Sequence, residues 1–199
     1  MTRTALIAID LQNDFCPGGA LAVADGDAVI APVNALMDQA DAVVLTQDWH
    51  PRDHLSFADN HPGAAPFSQI AMPYGPQTLW PAHCVQGSAG AAFHPMLRAD
   101  RADLILRKGF RAAIDSYSAF FENDKTTPTG LAGYLRDRGI TRLVLAGLAY
   151  DFCVAWSALD ARRLGFDCTV VEGACRAIDL DGSAAAARAA MQAAGVILA

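Results

Sequence analysis

Cys153 stands in Gly147-Leu148-Ala149-Tyr150-Asp151-Phe152-Cys153-Val154, where an apolar run of strand character gives way to a helical pattern. A helix start offers unpaired N–H groups and the positive end of the macrodipole, which together favour an anion and can hold a developing oxyanion. A thiol at such a point is a candidate nucleophile. Because an isolated thiol has a pKa of about 8.5, it needs a neighbour that takes its proton or stabilises the thiolate. Candidates stand at three other strand ends: Asp10 after the run 5–9, Asp48 and His50 after 42–46, and Lys108 after 104–106. In an open parallel sheet the carboxyl ends of the strands share one edge, where ligands bind, so these residues are expected to converge. The set implies a cysteine hydrolase with a metal beside the thiol.

The metal reading comes from Gln47-Asp48-Trp49-His50-Pro51-Arg52-Asp53-His54, a carboxylate and two imidazoles within seven residues, directly after a strand. A divalent transition metal takes N and O ligands of this kind. His83, in Leu79-Trp80-Pro81-Ala82-His83-Cys84-Val85, is the candidate for a fourth ligand, with His61, His94 and Cys84 as competitors. Each residue also has a plainer reading. The histidines could decorate a surface loop, Lys108 could be solvated, Asp10 could cap a turn, and Cys153 could be a small buried hydrophobe. Phe15 and Trp80 read as core, or as walls for a flat ring. Gly18-Gly19 matches neither a phosphate loop nor a dinucleotide fingerprint and reads as a turn.

Positioning these groups needs strands and helices in alternation. Apolar runs of strand length lie at 5–9, 42–46, 104–106, 143–146, 169–171 and 196–198, and their continuous apolarity predicts strands covered on both faces. Helical patterns lie between them at 27–39, 131–138, 152–164 and 183–194, the last three stopped by Gly139, Gly165 and Gly195. The Ala-rich stretch 184–194 reads as an outer helix, with Ser183 as its cap. The fold class is therefore α/β: a single domain over residues 1–199, with a doubly wound open sheet of about six parallel strands and helices on both faces. Residues 49–93, rich in Pro, Gly and His, form a long connection of the kind that usually carries function.

Composition narrows the partners. With 53% hydrophobic residues among 199, the chain can bury a substantial core. A formal charge of -6 without a basic run argues against nucleic acid and anionic membranes, which leaves a small-molecule substrate and keeps a homo-oligomer open. The apolar run near Met1 is too short for a signal sequence or a membrane span, so a cytoplasmic location is expected. Five cysteines without a CxxC spacing fit a reducing compartment.

Across essentially the whole chain, these motifs resemble the isochorismatase-like cysteine hydrolases, and within them the nicotinamidase/pyrazinamidase family. The matching stretches are Asp10-Leu11-Gln12-Asn13-Asp14-Phe15, Gln47-Asp48-Trp49-His50, Trp80-Pro81-Ala82-His83-Cys84-Val85, Lys108-Gly109, Asp115-Ser116-Tyr117-Ser118-Ala119-Phe120 and the Cys153 motif. The resemblance implies a catalytic triad of Asp10, Lys108 and Cys153, and one divalent metal on Asp48, His50, His54 and His83, with Zn²⁺, Fe²⁺ and Mn²⁺ all fitting such ligands. It also implies an oxyanion hole from the N–H groups of Ala149 and Cys153, a cis peptide between Leu148 and Ala149, and a ring pocket lined by Phe15, Trp80 and Tyr117. The implied reaction converts nicotinamide to nicotinate and ammonia through a thioester, extends to pyrazinamide, and needs no organic cofactor. Tyr150 departs from the family pattern, in which a small Thr is usual. The alternatives are a related amidase for carbamoyl or ureido substrates, a metallohydrolase whose metal activates water, and a non-enzymatic metal-binding protein of this fold.

Overall fold

The structure, a computed structural model, describes residues 3–199. In chain order the strands are β1 (Arg3–Ile9), β2 (Ala42–Asp48), the short pair β3 (Gln69–Met72) and β4 (Gly75–Thr78), β5 (Leu104–Lys108), β6 (Ile140–Gly147), β7 (Asp167–Cys175) and β8 (Ile197–Leu198). The helices are α1 (Ile30–Met37), α2 (Leu131–Asp137), α3 (Ala155–Arg163) and α4 (Ser183–Ala193). Six strands form one sheet in the order β5-β2-β1-β6-β7-β8, every neighbouring pair parallel. From β1 the chain winds outward through β2 to β5. It then returns to β6, beside β1, and winds the other way. The order thus reverses between β1 and β6, which opens a crevice at the carboxyl ends of those strands. α1 packs against β1, β6 and β7, α2 against β6, and α3 and α4 against each other and against β7 and β8.

Register delivers the chemistry to that edge. Ile9 pairs with Gly147, so Asp10 and Leu148 leave the sheet side by side, and Asp48 is the direct partner of Lys108. Ala5 through Ile9 on β1 are fully buried, as a central strand covered on both faces requires. The edge strands differ from the sequence expectation: Ile105 on β5 and Ile197 on β8 are exposed. The cause at β5 is the connection from β2, which lacks the crossover helix that usually covers such a strand. In its place a long excursion, holding the β3–β4 hairpin that its irregular sequence did not suggest, folds back through bridges from His50 to Val85 and from Phe57 to Trp80.

The helices end at the expected glycines, with Gly139, Gly165 and Gly195 all at positive φ. Their starts differ from expectation. Residues 26–29 form a 3-10 turn ahead of α1, and α3 is preceded by a π turn over Tyr150–Val154 that carries Cys153. Ser183 is the first residue of α4 rather than its cap, and its hydroxyl donates to Asp151 instead. Among the described residues, no helix is long and apolar enough to cross a membrane.

Gly147 ends β6 at φ 125, where a Cβ would collide with the Ile9 carbonyl oxygen. Gly147→Ala is therefore expected to destabilise the fold by more than about 1 kcal/mol, through both strain and the forced separation of β1 from β6. A urea titration checks this. An unchanged midpoint would contradict the close approach of the two strands.

Candidate active site

The site is built around Lys108. Its side chain is buried, and Nζ lies 2.9 Å from Asp10 Oδ2, donates to Asp48 Oδ1 and to the Ser116 carbonyl at 2.9 Å, and sits 3.4 Å from Cys153 Sγ. An ammonium has three N–H donors, and here three oxygens are within reach, so the thiol faces the cation chiefly as a point charge. Asp10 leaves β1 at φ 49 and is fixed from β2, where the Thr46 hydroxyl donates to Oδ1 at 2.6 Å.

Burial works against the Lys108 charge, but Asp10 and Asp48 outweigh it and hold the ammonium well above its usual pKa. Burial raises the Asp10 carboxyl; Lys108 opposes this and the Asp48 charge adds to it. Asp48 moves the other way, well below the usual carboxylate value, because Lys108 and then His50 overcome its desolvation. Burial also pushes the Cys153 thiol well above its ordinary value; Lys108 pulls it down, while Asp10 and Asp48 push it up. Burial and the two carboxylates thus favour the neutral thiol, and the neighbouring Asp10 carboxyl has a raised proton affinity.

Cys153 occupies the π turn that follows the cis Leu148–Ala149 peptide. The Ala149 carbonyl accepts the N–H groups of Phe152 and Val154, at 3.2 and 3.1 Å, so the Cys153 amide lies between two bonded neighbours. Single π turns of this kind often mark functional positions. Ala149 and Cys153 both line a narrow cleft, whose other walls include Phe15, Trp80 and Tyr117.

At one end of the cleft, Asp48 Oδ2 is faced by His50 Nε2 at 3.6 Å and His83 Nε2 at 3.8 Å. Each ring is tied at its far nitrogen, His50 Nδ1 to the Gly109 carbonyl and His83 Nδ1 to the Pro81 carbonyl, both at 2.8 Å. Nδ1 therefore carries a proton, so in a neutral ring Nε2 is the nitrogen left for a cation, and the two Nε2 atoms converge with a carboxylate oxygen in the way a cation requires. This donor set suits a divalent metal.

His54 does not join that group. Its Nδ1 lies 2.7 Å from the Ser56 hydroxyl and its Nε2 3.3 Å from the Ile114 carbonyl, so neither nitrogen is free toward Asp48 and His83, although the ring lies 4.5 Å from that of His50. Its ligand atoms group instead with those of His50 and Asp115. The competitors His61, His94 and Cys84 belong to none of the donor groups found among the described residues. Sequence reasoning did not assign Asp115, Phe152 or Ile178 to the site, yet all three line the cleft. Adjacency to recognised motifs was the available signal for Asp115, beside Tyr117, and for Phe152, beside Cys153. Ile178 carries none.

The fold and the comparisons with known proteins define a hydrolase of known type. The isochorismatase domain matches residues 4–199, and the chain belongs to the isochorismatase family. Among its relatives is a nicotinamidase of Acinetobacter baylyi, 55% identical over 192 residues, which span 96% of this chain and 90% of the relative. A solved nicotinamidase/pyrazinamidase from Acinetobacter baumanii, also 55% identical, superposes with a TM-score of 0.98 over 100% of this chain and 96% of its own. A pyrazinamidase of Pyrococcus horikoshii solved with zinc, 33% identical, superposes at 0.79 over 99% and 98%.

Elemental analysis of the purified protein is expected to find one divalent metal per chain. His83→Ala should weaken binding by more than the roughly 10–100-fold that changes outside the ligand shell cost, and His54→Ala should stay within that range. Equal loss in both variants would restore His54 to the ligand set.

Proposed function

We propose that this chain is a nicotinamidase, a cysteine amidohydrolase that converts nicotinamide to nicotinate and ammonia and also accepts pyrazinamide. The observation that carries this reading is the contact of Cys153 Sγ with Lys108 Nζ, itself paired with Asp10, in an aromatic cleft that ends at Asp48, His50 and His83. Its close relatives with that name support the choice of substrate.

The catalytic roles fall to Asp10, Lys108 and Cys153. Asp10 takes the thiol proton as sulfur attacks the carboxamide carbon, and Lys108 stabilises the emerging thiolate. The carbonyl oxygen becomes an oxyanion held by the N–H groups of Ala149 and Cys153. When the tetrahedral adduct collapses, the C–N bond breaks and Asp10 returns its proton to the leaving nitrogen, giving ammonia and a thioester. Asp10 then deprotonates a water that attacks the thioester. The C–S bond breaks, nicotinate leaves, and the proton passes back to sulfur. Phe15, Trp80 and Tyr117 pack the ring, and Trp80 is fixed by the 3.0 Å bond its Nε1 donates to the Tyr117 hydroxyl.

Asp48, His50 and His83 are the residues that would hold a divalent cation, Zn²⁺ or Fe²⁺ with Mn²⁺ as a third fit, and the chemistry supplied there is ligation of the pyridine nitrogen at an open position. The zinc-containing relative favours Zn²⁺.

Two outcomes test the reading. Cys153→Ala should fold yet lose ammonia release by several orders of magnitude, because only binding and oxyanion stabilisation remain; near-normal turnover would remove the covalent mechanism. Nicotinamide and pyrazinamide, each with a ring nitrogen meta to the carboxamide, should be good substrates and benzamide a poor one. Misplacement of a reacting group by about 1 Å can cost about a hundredfold, so a kcat/KM for benzamide equal to that for nicotinamide would show that the ring nitrogen is not read.

A further inference from the structure

Of the twelve residues lining the cleft, ten are buried and two, Phe152 and Ile178, are half-buried, which points to these two as the side on which it opens. They are held in different ways. Phe152 makes edge contacts with Trp80 and Tyr117, its ring centre 4.9 and 5.6 Å from theirs. Ile178 belongs to the irregular stretch between β7 and α4 and is held through its backbone by Asp151. The buried Asp151 carboxylate accepts the Ile178 N–H at 3.0 Å on one oxygen, and the Asp179 N–H at 2.8 Å and the Ser183 hydroxyl at 2.5 Å on the other. The adjacent Tyr150 N–H donates to the Arg176 carbonyl at 2.8 Å. Asp179 adopts φ 55, which a residue with a Cβ takes up reluctantly, and the carboxylate that gathers both N–H groups holds it there.

Asp151 lies two residues before Cys153 in the same turn. One turn therefore sets both the nucleophile and one side of the mouth, and the distance between them is fixed locally. Ile178 is β-branched, and a side chain stiff at χ1 gives way poorly to a bulkier ligand.

We propose that Ile178 is a specificity-determining residue that excludes substituents on the outward edge of the ring, and that Asp151 is the positioning residue that keeps it in place. This rests on the reading of the chain as a nicotinamidase. The test is steady-state kinetics on nicotinamide, 5-methylnicotinamide and 6-methylnicotinamide with the wild type, Ile178→Ala, Asp151→Asn and Ser183→Ala. A single methyl group in an apolar pocket discriminates by about 10–200-fold, and the wild type is expected to disfavour at least one methylated ring by that much. Ile178→Ala should narrow the kcat/KM ratio about tenfold or more, mainly through KM for the methylated ring. Asp151→Asn should narrow the same ratio. A purely structural role for Asp151 would lower kcat/KM on all three substrates by one factor and leave the ratio alone, which would overturn the positioning claim. If Asp151→Asn does not fold, Ser183→Ala, which removes one donor from the carboxylate, decides that claim by the same ratio. A wild type that treats all three rings alike, or an Ile178→Ala ratio within twofold of wild type, would overturn the specificity claim. No ammonia from nicotinamide with the wild type would instead refute the functional reading itself.

Discussion

The site depends on one buried ammonium. Asp10 and Asp48 descend from neighbouring strands into a space with little access to water, where two anions repel strongly at low dielectric. Lys108, from the third strand on that side, lies between them and makes their approach tolerable. Removing one partner of such a buried set typically costs about 3–5 kcal/mol because a charge is left without compensation. The same cation therefore secures the ends of β1, β2 and β5, reaches the loop at the Ser116 carbonyl, and sets the electrostatics at Cys153. In the proposed mechanism, catalysis and local stability rest on the same contacts.

Two carboxylates on one cation nevertheless acquire opposite characters. Asp48, with His50 and His83 beside its second oxygen, is kept ionised chiefly by Lys108, as a metal ligand must be. Asp10 has only the Thr46 hydroxyl in addition to Lys108, feels the Asp48 charge, and is fully buried, so its proton affinity rises. Environments that push two like groups apart in pKa divide them into a proton carrier and a fixed charge. Lys108 joins the two halves of the site, and Asp48 belongs to both.

Much of this was legible in the sequence because strand ends were. Continuous apolar runs mark β1, β2 and β6; Asp10 and Asp48 follow the first two at the carboxyl edge, and Cys153 lies in the turn beyond the third. β7 is longer than its apolar middle, since Asp167 and Glu172 break the pattern while keeping strand pairing. The β3–β4 hairpin escaped because Gln69-Ile70-Ala71-Met72 and Gly75-Pro76-Gln77-Thr78 carry no clear period. His54 illustrates another limit. Spacing shows that an imidazole is near, but not that one nitrogen is engaged by Ser56, two residues on, and the other by Ile114, 60 residues away. Ile178 was invisible for a similar reason, its position being set by a carboxylate 27 residues away.

The raised thiol pKa shapes how such a site must work. Burial elevates Cys16, Cys84, Cys168 and Cys175 as well as Cys153, so depth alone does not single out a nucleophile. What sets Cys153 apart is company: an ammonium at 3.4 Å and a carboxyl with raised proton affinity, at the edge of an aromatic cleft. A preformed thiolate would be reactive toward any electrophile that reached the cleft. A neutral thiol beside Asp10 becomes a nucleophile as its proton moves, and that transfer is favourable when negative charge can pass on to a carbonyl oxygen aligned with the backbone N–H groups of the turn. Reactivity is thereby tied to a correctly seated carboxamide, so the walls that seat the ring take part in activating the sulfur.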